Sequence, residues 1–332
     1  MKKTRVAING FGRIGRATAK QLLNESSIEL VAINDLTDNK TLAHLFKYDS
    51  VHGKFKGEVK SGDDFILING IKIATQAERD PENLPWGVLN VDVVIESTGH
   101  FRTSELANKH IIAGAKKVIL SAPAKSGDIK TIVLGVNENE LNGNETIVSN
   151  ASCTTNCAAP MIQLIDELCG IENGFLSTIH SFTSDQRIHD APHSDLRRAR
   201  AASVSIIPTT TGAANAVTKI FPHLNGKLAG SAIRVPVPDG SLTELTLNVK
   251  EAKSIQEINS TFEKASRNNL KNIVEYNEDP IVSVDIIGNP SSCIFDSELT
   301  QVLGNTIKIC GWYDNEIGYS SRLVDLVLLV SK

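Results

Sequence analysis

Val6-Ala7-Ile8-Asn9-Gly10-Phe11-Gly12-Arg13-Ile14-Gly15-Arg16 is the stretch that decides the fold. Its apolar start reads as a buried strand, and Arg13 to Asn24 reads as an amphipathic helix. Between them stand Gly10, Gly12 and Gly15. A glycine triplet alone is a weak signal, because glycine also marks ordinary turns. Set between a strand and a helix, it permits a tight turn and brings a pyrophosphate close to the backbone at the helix N-terminus. A second strand, Leu30 to Ile33, runs into Asn34-Asp35, and Asp35 lies 20 residues beyond Gly15. A carboxylate there accepts from adenosine ribose hydroxyls and repels a 2′-phosphate, so the expected cofactor is NAD rather than NADP.

Outward from this unit, Val91 to Ile95, Lys117 to Leu120 and Thr131 to Val136 read as further buried strands, and Ser104 to Ala115 as a helix. Strand, helix and strand in succession predict an α/β, Rossmann-type, doubly wound parallel sheet. Phe65 to Ile73, with Asn69-Gly70 between two apolar runs, predicts an inserted hairpin. The texture changes after Asn150. A helix from about Cys153 to Leu168 stops at Gly170. Alternation in Phe175 to Phe182, Ala229 to Val237, Leu242 to Val249, Ile281 to Ile287 and Thr306 to Trp312 predicts a mainly antiparallel sheet in an α+β domain. Ser254 and Glu257 form a capping box for a helix from about Ile255 to Ser266. The expected division is residues 1–150 for the dinucleotide and 151–315 for catalysis, with a helix over about 316–332 packing back on the first domain.

The chain has 332 residues, 41% hydrophobic and 22% charged, which is enough for two cores. A net charge of -4 supplies no overall basic field, so neither nucleic acid as primary partner nor an anionic membrane is expected. Five cysteines, an odd number, read as reduced thiols rather than a disulfide framework. Met1-Lys2-Lys3 runs directly into a strand with no secretory pattern, and the expected location is cytoplasmic.

Ser149-Asn150-Ala151-Ser152-Cys153-Thr154-Thr155-Asn156-Cys157 lies between a strand and an apolar helix. Cys153 then takes the helix N-terminus, where unpaired N–H groups and the dipole favour a thiolate. His180, closing Ser177-Thr178-Ile179-His180, is the candidate base. Cys157 lies one turn deeper and reads as a buried structural thiol. The pair lacks a second pair of ligands nearby, so no metal is expected. Cys169, Cys293 and Cys310 sit among apolar residues and read as core. His44, His52, His110 and His223 offer no constellation and receive no role.

With these motifs assembled, the chain resembles the glyceraldehyde-3-phosphate dehydrogenases of bacterial type, from Val6 to its C-terminus. AINGFGRIGR, INDLTD, KYDSVHGKF, ERDP, ESTG, SNASCTTNC, LRRARAA, IIPTTTGAA and WYDNEIGY carry the resemblance. It implies oxidation and phosphorylation of glyceraldehyde 3-phosphate to 1,3-bisphosphoglycerate with NAD, in glycolysis or gluconeogenesis. It implies Cys153 as nucleophile, forming a hemithioacetal and then a thioester, and His180 as base. Ser152 and Thr154 flank the thiol. Thr183, Arg198, Thr211, Gly212 and Arg234 build two anion sites, for the substrate phosphate and for inorganic phosphate. Arg13 and Ile14 join Gly10, Gly12, Gly15, Asp35, Arg79 and Ser121 around the cofactor, and Asn315 holds the nicotinamide carboxamide. The resemblance also implies a homotetramer in which Thr183 to Ala202 reaches a neighbour's cofactor site.

Three departures stand out. Pro238-Asp239-Gly240-Ser241 replaces the Pro-Asn-Val-Ser of many relatives, Gly311 stands where serine or alanine is common, and Ala191 precedes Pro192. Two rivals share parts of the pattern. An erythrose-4-phosphate dehydrogenase would keep the fold, the thiol and the cofactor. A binding or regulatory protein on the same scaffold would have no need of Cys153 and His180, yet both are present.

Overall fold

Nine strands form one sheet in the order Lys130–Thr131, Ile147–Ser149, Lys117–Leu120, Val93–Glu96, Thr4–Asn9, Ile28–Asn34, Ile71–Gln76, Phe65–Ile68 and Val59–Ser61. A computed structural model gives this fold for residues 2–331. Every pairing from Lys130–Thr131 to Ile71–Gln76 is parallel, and the last two pairings are antiparallel. The hairpin expected over Phe65 to Ile73 is there, with Asn69 at φ 48° and Gly70 at φ 81° in its turn. Val6, Ala7, Ile8, Ile33, Val94 and Ile95 are fully buried, as central parallel strands covered on both faces require. The order of strands reverses at Thr4–Asn9, so Asn9-Gly10, Asn34-Asp35 and Glu96-Ser97 all emerge at one carboxyl edge. Ligands of doubly wound sheets bind at such an edge.

This unit runs to Ile132, adds Asn139–Ala151, and takes the chain again from Ser320. The second unit is Val133–Glu138 with Ser152–Tyr319. Its seven strands run in the order Ile207–Thr210, Leu228–Val235, Ile171–Ser181, Ser241–Val249, Thr306–Tyr313, Cys293–Leu303 and Val274–Asn277. Antiparallel pairing dominates, with parallel exceptions between Ile171–Ser181 and Leu228–Val235 and at Val274–Asn277. Ser241–Val249 alternates as its sequence predicts, burying Thr243, Leu245, Leu247 and Val249. The helices Cys153–Cys169, Ala213–Ile220 and Ile255–Arg267 pack on this sheet. The last of them carries the capping box: Ser254 Oγ accepts from Glu257 N–H, and the Glu257 carboxylate accepts from Ser254 N–H.

Two expected strands are corrected. Thr131 to Val136 pairs only at Lys130–Thr131. Beyond it the chain turns, with Val136 and Asn137 N–H donating to Val133 O, and Gly135 at φ 82°. The short strand Ile147–Ser149 fills the sheet position instead. Ile281 to Ile287 is not a strand either. Asp285 accepts from Val282 N–H at 2.7 Å and winds Ser283–Ile286 into a 3-10 turn. Cys293–Leu303 takes the place beside Thr306–Tyr313, and Val274–Asn277 forms the edge of the sheet.

Candidate active site

Ser152 starts the helix Cys153–Cys169 by accepting from Thr155 N–H at 3.1 Å, which leaves Cys153 as its first residue. Ala151 immediately before is fully buried at φ 56°, a backbone state costly for a non-glycine residue, and it turns the chain sharply out of the sheet. Cys153 is half-buried, and its Sγ stands 3.4 Å from His180 Nε2. His180 is on Ile171–Ser181, whose parallel neighbour places Arg234 directly opposite it. Arg234 lies 2.9 Å from His180 Nδ1 and donates to Ser181 O at 3.0 Å. Nδ1 also lies 2.8 Å from Ser181 O.

Burial pushes the Cys153 thiol up to about 11, with Arg234 and the Thr154 N–H acting the other way. Burial and then Arg234 push the His180 imidazole down to about 3. Both groups are therefore held neutral, and the imidazole can take up the thiol proton. Tyr313 closes the site from below. Its buried hydroxyl bridges Thr154 Oγ1 at 2.9 Å and Thr178 Oγ1 at 2.8 Å, and its ring lies edge-on to His180 with centroids 5.9 Å apart.

The remaining residues singled out in this unit have different side-chain commitments. Ser152 Oγ is used by its cap and by Thr155 Oγ1, and Thr154 Oγ1 by Tyr313. Both hydroxyls are therefore committed within the protein. Arg198 bonds Thr209 Oγ1 at 2.9 Å and Thr210 O at 3.2 Å, and pairs with Asp185. Its charge reaches both His180 and Arg234 and lowers their pKa values further. Thr211 and Gly212 follow at the start of the helix Ala213–Ile220, where no side chain caps Gly212. Thr183 N–H donates to Gln186 Oε1 at 3.3 Å, three residues beyond the base. Asn315 Oδ1 accepts from Ser181 Oγ and Ser241 Oγ. Cys157, Cys169, Cys293 and Cys310 are buried and unbridged.

Gly10, Gly12, Gly15, Asp35 and Ser121 lie at the carboxyl edge of the first unit. A Cβ on Gly10 would lie 2.7 Å from Thr98 N, and one on Gly15 would overlap Gly10 O, so those glycines are demanded by packing. Gly12 has nothing within 4 Å of a Cβ, and the helix Arg13–Leu22 starts without a side-chain cap. An open backbone at an uncapped helix start fits a pyrophosphate. Asp35 Oδ2 accepts from Phe11 N–H at 2.8 Å, locking the carboxylate to the loop. The Arg13 guanidinium turns aside to Asp49 at 3.1 Å, leaving its backbone and that of Ile14 at the helix start. Arg79 is exposed beside Glu78, whose N–H donates to Asn34 Oδ1. Ser121 is half-buried, its N–H on Glu96 O.

His110 needs correction. It is fully buried, with Nδ1 accepting from Trp86 Nε1 at 3.0 Å and Nε2 3.1 Å from Glu96 Oε2. Asn9 Nδ2 donates to the same carboxylate, and Asn34 Nδ2 donates to Asn9 Oδ1 at 2.6 Å. This chain of bonds ties the ends of three strands beneath the glycine loop. The ESTG motif, which holds Glu96, was its one signal in the sequence. Tyr313, Ser181 and Ser241 were also missed as site residues.

Residues 4–104 match the family model described as glyceraldehyde 3-phosphate dehydrogenase, NAD binding domain, and residues 152–315 match its C-terminal domain. Glyceraldehyde-3-phosphate dehydrogenase 2 of Streptomyces avermitilis is 55% identical over 98% of this chain and 98% of its own. The glyceraldehyde-3-phosphate dehydrogenases of Streptomyces coelicolor and Mycobacterium avium are 54% and 52% identical, over 98% and 99% of this chain and 98% of each of theirs.

Proposed function

Because the chain belongs to the glyceraldehyde-3-phosphate dehydrogenase family, we propose that Cys153 and His180 perform its chemistry as a nucleophile and base. The enzyme oxidises glyceraldehyde 3-phosphate with NAD and is a glycolytic enzyme. One observation carries the assignment of roles: Sγ at the first position of a helix, 3.4 Å from a buried imidazole nitrogen.

The steps follow from that geometry. His180 Nε2 takes the thiol proton as Sγ bonds to the aldehyde carbon. The carbonyl electrons move to its oxygen, which takes the proton back from the imidazolium and gives a hemithioacetal. His180 then removes the hydroxyl proton while the carbon loses its hydride, leaving a thioester on Cys153. NAD supplies the hydride acceptor when bound. An oxygen of inorganic phosphate attacks the thioester carbonyl, and the C–S bond breaks with its electron pair going to Sγ. Sγ takes back the proton held by His180, the phosphate's own proton passes to solvent, and 1,3-bisphosphoglycerate leaves. Arg234, Arg198, Thr183, Thr211 and Gly212 hold the two phosphates, two arginines being suited to planar, charged donation. Ser152 and Thr154 set the backbone around Sγ. Gly10, Gly12, Arg13, Ile14, Gly15, Asp35, Arg79 and Ser121 hold the dinucleotide, and Asn315 the nicotinamide carboxamide.

We assign residues 1–150 to cofactor binding and 151–315 to catalysis, and read the enzyme as a homotetramer. Ile188, Leu196, Val204 and Ile206 support that assembly, each at least 70% exposed on one segment. Five free thiols suit a reducing cytoplasm. Among the described residues no helix is long and apolar enough to cross a membrane.

Absorbance at 340 nm tests the reading. Glyceraldehyde 3-phosphate, NAD and inorganic phosphate should give steady NADH formation, and Cys153→Ser should abolish it. Near-wild-type turnover in that variant refutes the assignment. A higher kcat/KM for erythrose 4-phosphate would replace the substrate.

A further inference from the structure

Asn315 follows the strand Thr306–Tyr313 on a segment pinned by its neighbour. Asp314 Oδ1 accepts from Glu316 and Ile317 N–H, each at 2.8 Å, and Oδ2 accepts from Gly288 N–H at 2.7 Å. The Asn315 amide is held through one atom. Its Oδ1 accepts from Ser181 Oγ at 2.8 Å and from Ser241 Oγ at 2.7 Å. An amide oxygen has two lone pairs, and both are used. Ser181, Ser241 and Asn315 are 0%, 1% and 6% exposed, so water does not compete. Among the described residues, neither hydroxyl has another acceptor. Turning the amide over would strand two buried hydroxyl protons, and this fixes its orientation.

The two serines come from different strands. Ser181 directly follows His180, and its N–H donates to Ser241 Oγ at 3.1 Å. Ser241 opens its strand after Gly240, which is at φ 86° and whose Cβ would overlap Ser283 O. The tight turn thus delivers the second hydroxyl to Asn315.

We propose that Ser181 and Ser241 are positioning residues for the cofactor: by saturating Asn315 Oδ1 they leave Nδ2 as a fixed donor for the carbonyl oxygen of the nicotinamide carboxamide. This rests on the assignment of Asn315 made above. The donor set is then one-sided. It reads the carbonyl of the ligand and is indifferent to the ligand's own NH2 group.

The test titrates NAD and 3-acetylpyridine adenine dinucleotide into wild type, Asn315→Ala and the Ser181→Ala/Ser241→Ala double variant by calorimetry. The analogue keeps the carbonyl oxygen and carries a methyl in place of NH2. In the double variant Oδ1 loses both serine donors and can accept from the NH2 of NAD while Nδ2 still donates to its carbonyl, a second bond the analogue cannot make. The ratio of the analogue's Kd to that of NAD should therefore rise about fivefold over wild type, the worth of one hydrogen bond. A ratio within about twofold of wild type overturns the clamp. Asn315→Ala separates the two readings: if it leaves both Kd values unchanged, the Asn315 assignment itself falls. If it weakens both while the double variant keeps the wild-type ratio, only the serine clamp falls. Should the double variant unfold, Ser241→Cys, which keeps the volume and weakens the donor, should move the ratio in the same direction; an unmoved ratio overturns the clamp.

Discussion

Replacing His180 by Asn removes the acceptor 3.4 Å from Sγ and leaves the helix start and Arg234 in place. The thiol is then left to its surroundings, and burial pushes it up to about 11. At pH 7 such a thiol is about one part in ten thousand thiolate, against about 3% for an ordinary cysteine near 8.5. The wild-type imidazole, held neutral by burial and Arg234, offers the proton a place 3.4 Å away instead. The acylation rate should therefore drop by about 10²–10⁴, the range a positioned base contributes. Alkylation of Cys153 by iodoacetamide, followed by mass spectrometry across pH, isolates this step from cofactor chemistry. In His180→Asn the rate should climb tenfold per pH unit without a plateau until near 11. If the variant alkylates at pH 7 within about threefold of wild type, His180 does not activate the thiol, and the helix start alone would have to do so.

Asp239 is fully buried against Asp314, and burial and then that carboxylate raise its pKa to about 8. Because the folded value lies above the unfolded value of about 4, the contribution is full below about pH 4 and is lost as pH rises toward 8. Urea midpoints should fall across that window in wild type and stay nearly level in Asp239→Asn; parallel profiles would show that Asp239 is not the group that titrates there. Gly311→Ala places a Cβ 2.6 Å from Cys293 Sγ and 2.9 Å from Met161 Sδ. Overpacking there should cost about 1–3 kcal/mol in denaturant unfolding. Cys293→Ala in the same chain should recover part of the loss, and no recovery would locate the strain elsewhere. Ser254→Ala should lose about 1 kcal/mol through the capping box, and an unchanged urea midpoint would show that the cap contributes nothing.

Much of the fold was legible because its signals are local. The glycine triplet lies between a strand and a helix, and Ser241–Val249 shows its period of two in its own residues. The strand Ile147–Ser149 was lost because three residues are too few to show a period. Ile281 to Ile287 misled because Val282 and Val284 alternate correctly, yet both are exposed and Asp285 closes the turn. Cys153 and His180 were singled out from the expected helix start and the motifs around them, but their contact joins residues 27 apart. His110 shows the limit most clearly. Its partners Trp86 and Asn9 lie 24 and 101 residues away, so no window of sequence contains the network. The same holds for Ser181 and Asn315, 134 residues apart. Gly311, opaque as a departure from its relatives, becomes plain once Cys293 and Met161 occupy the space a methyl would take.

The rung that sets His180 opposite Arg234 separates what must stay constant from what can vary. Imidazole and guanidinium are carried by neighbouring strands, so their spacing is inherited from the hydrogen-bonded ladder. Between those strands the chain makes a long excursion, from Phe182 to Lys227, that includes Thr183, Arg198, Thr211 and Gly212. Residues can be inserted or exchanged along much of that excursion without shifting His180 against Arg234, although the charge of Arg198 within it acts on both. Slipping one strand by a single residue would instead turn its side chain to the opposite face of the sheet and part His180 from Arg234. Length and sequence can thus vary there, while the spacing of His180 and Arg234 is protected by the backbone itself.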